Sequence, residues 1–245
     1  MAYPEKIVGK FYQLKFLYSV WRRKHGVPIA YLTGQKEFFG LNFWVNRHTL
    51  IPRPETEIMI EKIIEHCVGS KNSPTIFDIG TGSGCIAITL AKKFSNANVF
   101  ASDVSEGALR VAQKNAKKHN TKIEFKKGSL LLPCISILKS NTSKNIIITA
   151  NLPYLTKKQF NAEKSIQAEP KTALIGDDRD GLDLYRDLLK QLRGVQIPSR
   201  LQLYLEIDPD QTNLVPEMIA SFYPNAKIEI YPDLCGLSRI VRVQI

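Results

Sequence analysis

The sequence predicts an α/β fold: a Rossmann-like, mostly parallel sheet with helices on both faces and an antiparallel hairpin at its C-terminal end. Three observations predict it. From Thr75 onward, short runs rich in Ile, Val and Leu alternate with longer amphipathic stretches. A glycine cluster falls where the first of those runs gives way to the first helix, the usual ligand crevice of such a sheet. The last two runs are joined through Pro232–Gly236, too short a connection for a crossover helix, so they pair antiparallel.

The 245 residues divide into a short helical segment (1–30), a β-hairpin connector (31–52) and a main α/β domain (53–245). In the first segment Ile7, Phe11, Leu14, Tyr18 and Trp21 recur at helical spacing. Lys6, Lys10, Lys15, Arg22, Arg23 and Lys24 fill much of the remaining surface. Such a helix is expected to pack its aromatic stripe on the main domain and solvate its lysines; a basic partner-binding helix is the other reading. Gly26 and Pro28 end it. Phe38, Phe39, Leu41, Phe43 and Val45, spaced by Gly34 and Gly40, read as a short hairpin.

Pro52 and Pro54 hold Ile51–Glu57 extended, and an amphipathic helix follows over 57–68, then a polar linker over 69–74. The α/β alternation predicts strands over 75–79, 98–102, 122–126, 145–150 and 201–206. It predicts helices over 84–94, 105–119, 181–193 and 211–222, with final strands near 226–231 and 238–244.

Hydrophobic residues make up 44% and charged residues 23%, enough for a sizeable core in a globular chain of this length. No apolar run approaches the ~18 residues of a membrane span, and the first residues lack a secretory apolar core. Cys67, Cys85, Cys134 and Cys235 are widely spaced without a CxxC, so neither a disulfide framework nor a metal site is expected and a reducing cytoplasm is the default compartment. The net charge of +11 points to polyanionic company, with nucleic-acid contact one reading and plain solubility the other.

The glycine cluster reads Asp78-Ile79-Gly80-Thr81-Gly82-Ser83-Gly84. Glycines let backbone approach a ligand and adopt positive φ. Cys85 stands where a dinucleotide motif has its last glycine, and no P-loop lysine follows. Asp103 ends the second strand about 25 positions after Asp78, where a carboxylate accepts the hydroxyls of a ribose. A nucleoside with a positive centre, such as S-adenosylmethionine, fits this set better than NAD. Asp78 is expected near its amino or sulfonium end. Leu130, after the third strand, either flanks the adenine or belongs to the core.

Asn151-Leu152-Pro153-Tyr154 follows the apolar run Asn145–Ala150. A planar nitrogen has a delocalised lone pair and is a poor nucleophile. It needs two acceptors that hold its N–H bonds and leave the lone pair facing an electrophile. The Asn151 side-chain oxygen and the Leu152 carbonyl are candidates, with Pro153 stiffening the turn and Tyr154 lying on the flat group. A plain turn is the alternative, since Asn and Pro are ordinary turn residues. His25, His48, His66 and His119 fall outside these motifs and read as surface or packing residues.

Several segments together resemble the HemK/PrmC family, the peptide chain release factor glutamine N5-methyltransferases. They are Pro28–Gly34, Glu37–Gly40, Leu50-Ile-Pro-Arg-Pro-Glu-Thr-Glu57, Asp78–Gly84, Asn151–Tyr154, Glu169-Pro170, Asp180–Asp183 and Asp233–Gly236. The resemblance runs from about residue 28 to the C-terminus, and the segment around Arg53 is its most particular part. It implies a class I S-adenosylmethionine-dependent methyltransferase fold. It implies cofactor contacts at Gly80, Thr81, Gly82, Ser83, Gly84, Asp103, Leu130 and Asn151, joining Asp78 from the residues themselves, and no metal site is visible in the sequence. It implies that Asn151, Leu152, Pro153 and Tyr154 hold the glutamine of the Gly-Gly-Gln loop of a class 1 release factor. Arg53 and Glu55 are expected beside the site or as an exposed ion pair.

Two features depart from the family pattern. Leu152 stands where members usually carry proline. Asn-Leu-Pro-Tyr is also the form found in rRNA adenine dimethyltransferases, so N6-adenine methylation of RNA or DNA is the alternative function. Only about one helix precedes Pro28, where the family has a helical bundle that helps grip the release factor.

Overall fold

The computed structural model describes residues 9–67, 73–141, 145–196 and 201–245. Ile7 and most of the expected linker lie outside them. Helices α1 (Lys10–Lys24) and α2 (Ile29–Thr33) lead into a two-stranded antiparallel hairpin, β1 (Gln35–Phe38) and β2 (Leu41–Trp44). A 3-10 turn over Pro54–Thr56 starts α3 (Glu57–Cys67). The main body then runs β3 (Thr75–Ile79), α4 (Cys85–Lys93), β4 (Asn98–Asp103), α5 (Glu106–Lys118) and β5 (Glu124–Lys127). It continues with α6 (Ile135–Lys139), β6 (Ile146–Ala150), α7 (Lys157–Ala162), α8 (Asp183–Arg193) and β7 (Leu201–Glu206). Helix α9 (Leu214–Phe222), β8 (Lys227–Pro232) and β9 (Ser238–Gln244) complete it.

Seven strands form one sheet in the order β5-β4-β3-β6-β7-β9-β8. The first five are parallel, and β9 inserts antiparallel between β7 and β8. β3 and β6 are buried along their whole length, as central strands covered on both faces must be. Alternate side chains feed two cores because strand residues point to opposite faces in turn. Phe77, Ile79, Ile148 and Leu203 pack with Leu188 and Leu189 of α8 and Val215 of α9. Ile76, Val99, Ala101 and Ile147 pack with Ile60 and Ile63 of α3 and Ile88 of α4.

The hairpin is fastened to the body through Asn115 of α5. Its Oδ1 accepts the Trp44 N–H at 2.7 Å, and its Nδ2 donates to the Trp44 carbonyl at 2.9 Å and the Ser83 carbonyl at 2.8 Å. One buried amide thus links hairpin, helix and glycine loop. Phe38 and Phe43 fill the space beneath.

Two expectations change. Helix α1 does not bury its stripe: Phe11, Leu14, Tyr18 and Trp21 are all more than half exposed, and none of its described residues is buried. Helical periodicity marked an apolar face that the described residues leave largely exposed. Helices α6 and α7 arise in stretches expected to be loop. The Thr156 hydroxyl accepts the Gln159 N–H at 3.2 Å, and the Gln159 Oε1 accepts the Thr156 N–H at 2.8 Å. This reciprocal capping is the T-x-x-Q signal of a helix start.

Candidate active site

Ile79 is in register with Ala150, so Gly80 and Asn151 leave the sheet side by side. The strand order turns back at this pair, and ligands of open α/β sheets bind outside the carboxyl ends at such a point. A cavity opens there. Gly80, Thr81, Gly82 and Ser83 form one wall; Asp103 and Leu130 form a second; Asn151, Leu152 and Pro153 form a third. Pro52, Arg53 and Thr56 face them from the segment before α3.

The glycine loop owes its shape to backbone angles that other residues resist. Gly80, Gly82 and Gly84 have φ of 72°, 56° and 80°. A Cβ on Gly80 would meet the Leu152 Cδ2 at 3.0 Å, whereas one on Gly82 would meet only the Gly80 carbonyl at 3.9 Å. Gly82 is therefore the place where a ligand can approach backbone. Gly84 does not line the cavity; it lets α4 pack on α5, since its Cβ would press on Ile88 and Ala112.

The two aspartates differ in role. Asp78 lies beneath the loop, 1% exposed, with Oδ2 accepting from the Thr81 hydroxyl at 2.6 Å and Oδ1 from the Thr149 hydroxyl at 2.8 Å. Burial pushes its pKa up to about 6. It braces the loop from behind. Asp103 lines the cavity. Its Oδ2 accepts the Gly82 N–H at 2.9 Å and its Oδ1 the Ser105 N–H at 2.8 Å, while burial raises its pKa. A carboxylate has about four acceptor positions, so two remain for a vicinal diol. The open Gly82 backbone beside this carboxylate fits a nucleoside cofactor.

Leu130 holds φ of 52°, a left-handed conformation that costs a non-glycine residue about 1–2 kcal/mol. The Ser102 hydroxyl donates to its carbonyl at 2.6 Å and fixes the turn. The strained residue both packs into the core and borders the cavity, so the two sequence readings of Leu130 coexist.

Below Asn151 lies a cluster that sequence reasoning missed. The Asn151 Nδ2 donates to the Thr56 Oγ1 at 3.3 Å, and the Thr56 hydroxyl donates to the Glu206 Oε2 at 2.6 Å. Tyr154 does not line the cavity; its hydroxyl donates toward the Glu206 Oε1 at 3.5 Å. Burial, offset by Thr56 and by nearby Arg239, pushes the Glu206 pKa up to about 7. The Leu152 N–H donates to the Tyr185 hydroxyl at 3.1 Å, and that hydroxyl donates to the Glu206 main-chain carbonyl. A glutamate closing the apolar strand 201–206 was the available signal: an acidic residue at the end of a buried strand wants a partner.

Arg53 does not pair with Glu55. Its guanidinium meets Glu169, whose other oxygen accepts the Ile51 N–H at 2.9 Å. Glu169 is almost fully buried and Glu55 is not, so the shielded carboxylate is the one that takes the cation. His48, read from sequence as a surface or packing residue, packs against Gly107 at the start of α5 and also borders the cavity. Among the described residues no group of three or more His, Cys, Asp or Glu side chains is placed to hold a metal ion, and no helix is long and apolar enough to cross a membrane.

Parallel strands, a glycine turn after the first of them, an acidic residue closing the second and a reversed strand near the far edge define a class I S-adenosylmethionine-dependent methyltransferase fold. A family model described as "Methyltransferase domain" matches residues 76–165. A methyltransferase from Pyrococcus furiosus shares the fold, with a TM-score of 0.56 at 18% identity over 96% of this chain and 98% of that one. The release factor glutamine methyltransferase of Flavobacterium psychrophilum is 38% identical over 226 residues, 90% of this chain and 76% of its own length. That of Bacillus subtilis is 33% identical over 98% of this chain and 83% of its own length. The chain belongs to the release factor glutamine methyltransferase family.

Proposed function

We propose that this chain methylates the side-chain amide nitrogen (N5) of the glutamine in the Gly-Gly-Gln motif of a class 1 peptide chain release factor, with S-adenosylmethionine as donor, in the cytoplasm. The observation that carries the proposal is the tethering of Asn151. Its Nδ2 is committed to Thr56, which leaves Oδ1 as the amide atom available to accept an N–H at the edge of the cavity.

S-adenosylmethionine supplies a methyl carbon already activated by its sulfonium. The remaining work falls to the protein. Asp103 and the Gly80–Ser83 backbone hold the nucleoside side. Asn151 Oδ1 and the Leu152 carbonyl accept the two N–H bonds of the substrate amide and aim its lone pair at the methyl carbon. Such positioning supplies roughly 7–11 kcal/mol in favourable cases. The same two acceptors stabilise positive charge as it develops on nitrogen, because they are oriented before the reaction begins. The proton passes to water after transfer. Pro153 narrows the site, and Tyr154 closes it from behind through its hydroxyl on Glu206. The similarity to relatives named for glutamine methylation supports this substrate over adenine, although Asn-Leu-Pro-Tyr and the +11 charge suit both.

The test offers labelled S-adenosylmethionine with a purified release factor and a structured RNA in one reaction. Mass spectrometry should find the label on the Gly-Gly-Gln peptide. Label on RNA adenine and none on that glutamine would overturn the substrate and keep the methyltransferase.

A further inference from the structure

The hydrogen-bond chain beneath the cavity has a direction, and its far end sets it. Asn151 donates to Thr56, and Thr56 donates to Glu206. An ionised carboxylate can only accept, whereas a hydroxyl can donate or accept and a carboxamide can present either face. We infer that Glu206 is a positioning residue: as a carboxylate it forces the Thr56 hydroxyl to point inward, which draws in the Asn151 N–H group and turns Oδ1 toward the substrate amide. The inference rests on the proposed glutamine methylation for its kinetic consequence only.

The geometry supports a single polarity. Glu206 is 1% exposed and closes β7, so water does not compete for its oxygens. Thr56 is 2% exposed, and among the described residues Glu206 is the one acceptor its hydroxyl donates to, while that hydroxyl accepts from Asn151. Asn151, by contrast, is half-buried and borders the cavity. If Glu206 carried a proton, it could donate to Thr56, and the Thr56 hydroxyl could then donate to Asn151. The carboxamide would turn over to accept that bond and present N–H groups to the substrate. Two donors would face each other where an acceptor is needed, and the substrate amide would lose one of its two holds.

Glu206 is surrounded by groups that bear on its charge. Burial and Glu55 before α3 oppose the carboxylate, whereas Thr56, Arg239 of β9 and the Asn151 side chain favour it. Tyr154 and Tyr185 face it as neutral phenols held protonated by burial, and Cys85 at the start of α4 is a thiol pushed up to about 12. Its folded pKa stands above the ordinary value, at about 7. The sign follows: the acceptor chain is intact above that pH and reverses as pH falls through it.

The experiment combines kinetics with an observation that needs no turnover. In the wild-type protein, kcat should fall as pH drops through about 7, and the Asn151 side-chain amide signals should titrate with the same midpoint in nitrogen–proton NMR, assigned by their loss in Asn151→Ala. Glu206→Gln should lower kcat at least about tenfold at high pH, leave cofactor affinity within about twofold, and abolish both the acid limb and the titration of Asn151. Thr56→Val should do the same, and Thr56→Ser should restore the limb. That rescue covers the case in which Glu206→Gln fails to fold. Wild-type Asn151 signals that do not titrate near pH 7, or a folded Glu206→Gln with its acid limb intact, would overturn the inference. Wild-type protein that labels no release-factor glutamine would remove the substrate reading, while the Asn151 titration would still decide the direction of the chain.

Discussion

Arg53 and Glu169 form an ion pair across 116 positions of sequence, and the pair ties the segment before α3 to the loop after α7. Glu169 also accepts the Ile51 N–H, so one nearly buried carboxylate holds two groups of the same strap. Pro52, Arg53 and Thr56 of the strap and Thr172 and Ala173 of the loop all line the cavity.

Removing that carboxylate should loosen the strap. Glu169→Ala leaves the Ile51 N–H and the guanidinium without a partner, and loss of a hydrogen bond to a charged group costs about 1.5–3 kcal/mol. Arg53 is about a third exposed and can turn to water, so the lower half of that range is expected. Urea unfolding should show the loss, and kcat/KM for the release factor should fall with it. Unchanged stability would show that the strap is held elsewhere.

Asp103→Ala should weaken S-adenosylmethionine binding by about 1.5–3 kcal/mol, roughly 10- to 150-fold, because the two acceptor positions offered to a ribose disappear. It also releases the Gly82 N–H. Titration calorimetry on folded protein measures it, and an unaltered Kd would remove Asp103 from the cofactor site.

Asn151→Ala should lower kcat by about 10²–10³ with a much smaller change in cofactor affinity, since its oxygen is proposed to act on developing charge. Near-normal turnover, followed by label on the Gly-Gly-Gln peptide, would sink the two-acceptor mechanism.

Leu152→Pro tests the departure from the family pattern. The Leu152 carbonyl survives the change, but its N–H donates to Tyr185 and its side chain packs in the core. Loss of that bond costs about 0.5–1.5 kcal/mol, and the smaller ring gives up further contact. Thermal unfolding should drop while kcat is retained. A collapse of kcat in folded protein would give the Leu152 side chain a part in the reaction.

Asp78 should make stability depend on pH. Its carboxyl, raised from 3.8 to about 6, binds a proton in the folded state more tightly than in the unfolded state. Between those values the folded form holds more protons, so stability falls as pH rises from about 4 to about 6. At 1.36 kcal/mol per unit the drop is on the order of 3 kcal/mol. Asp78→Asn should remove its share of that slope and leave the part due to Glu206, read by urea unfolding at several pH values.

The sequence by itself determined the sheet. Alternation of apolar runs with amphipathic stretches placed the strands 75–79 and 201–206 as they are, because burial on both faces leaves a run of Ile, Leu and Phe with one use. It also placed Gly80–Gly84, Asp103 and Asn151 in order at strand ends, since local backbone demands and turn chemistry are written in neighbouring residues. The short 3-10 and α turns after Leu131 went unread, as they are too brief to show a period. What only the tertiary structure decided is which distant groups meet. Glu206 lies 150 positions from Thr56, and Glu169 lies 116 from Arg53, so no spacing rule connects either pair. The same holds for Asp78, whose two hydroxyl partners turn it from the cavity and make it a brace. Charge and polarity name the residues that need partners. Three-dimensional burial alone, by removing water as a competitor, chooses which partner each one takes.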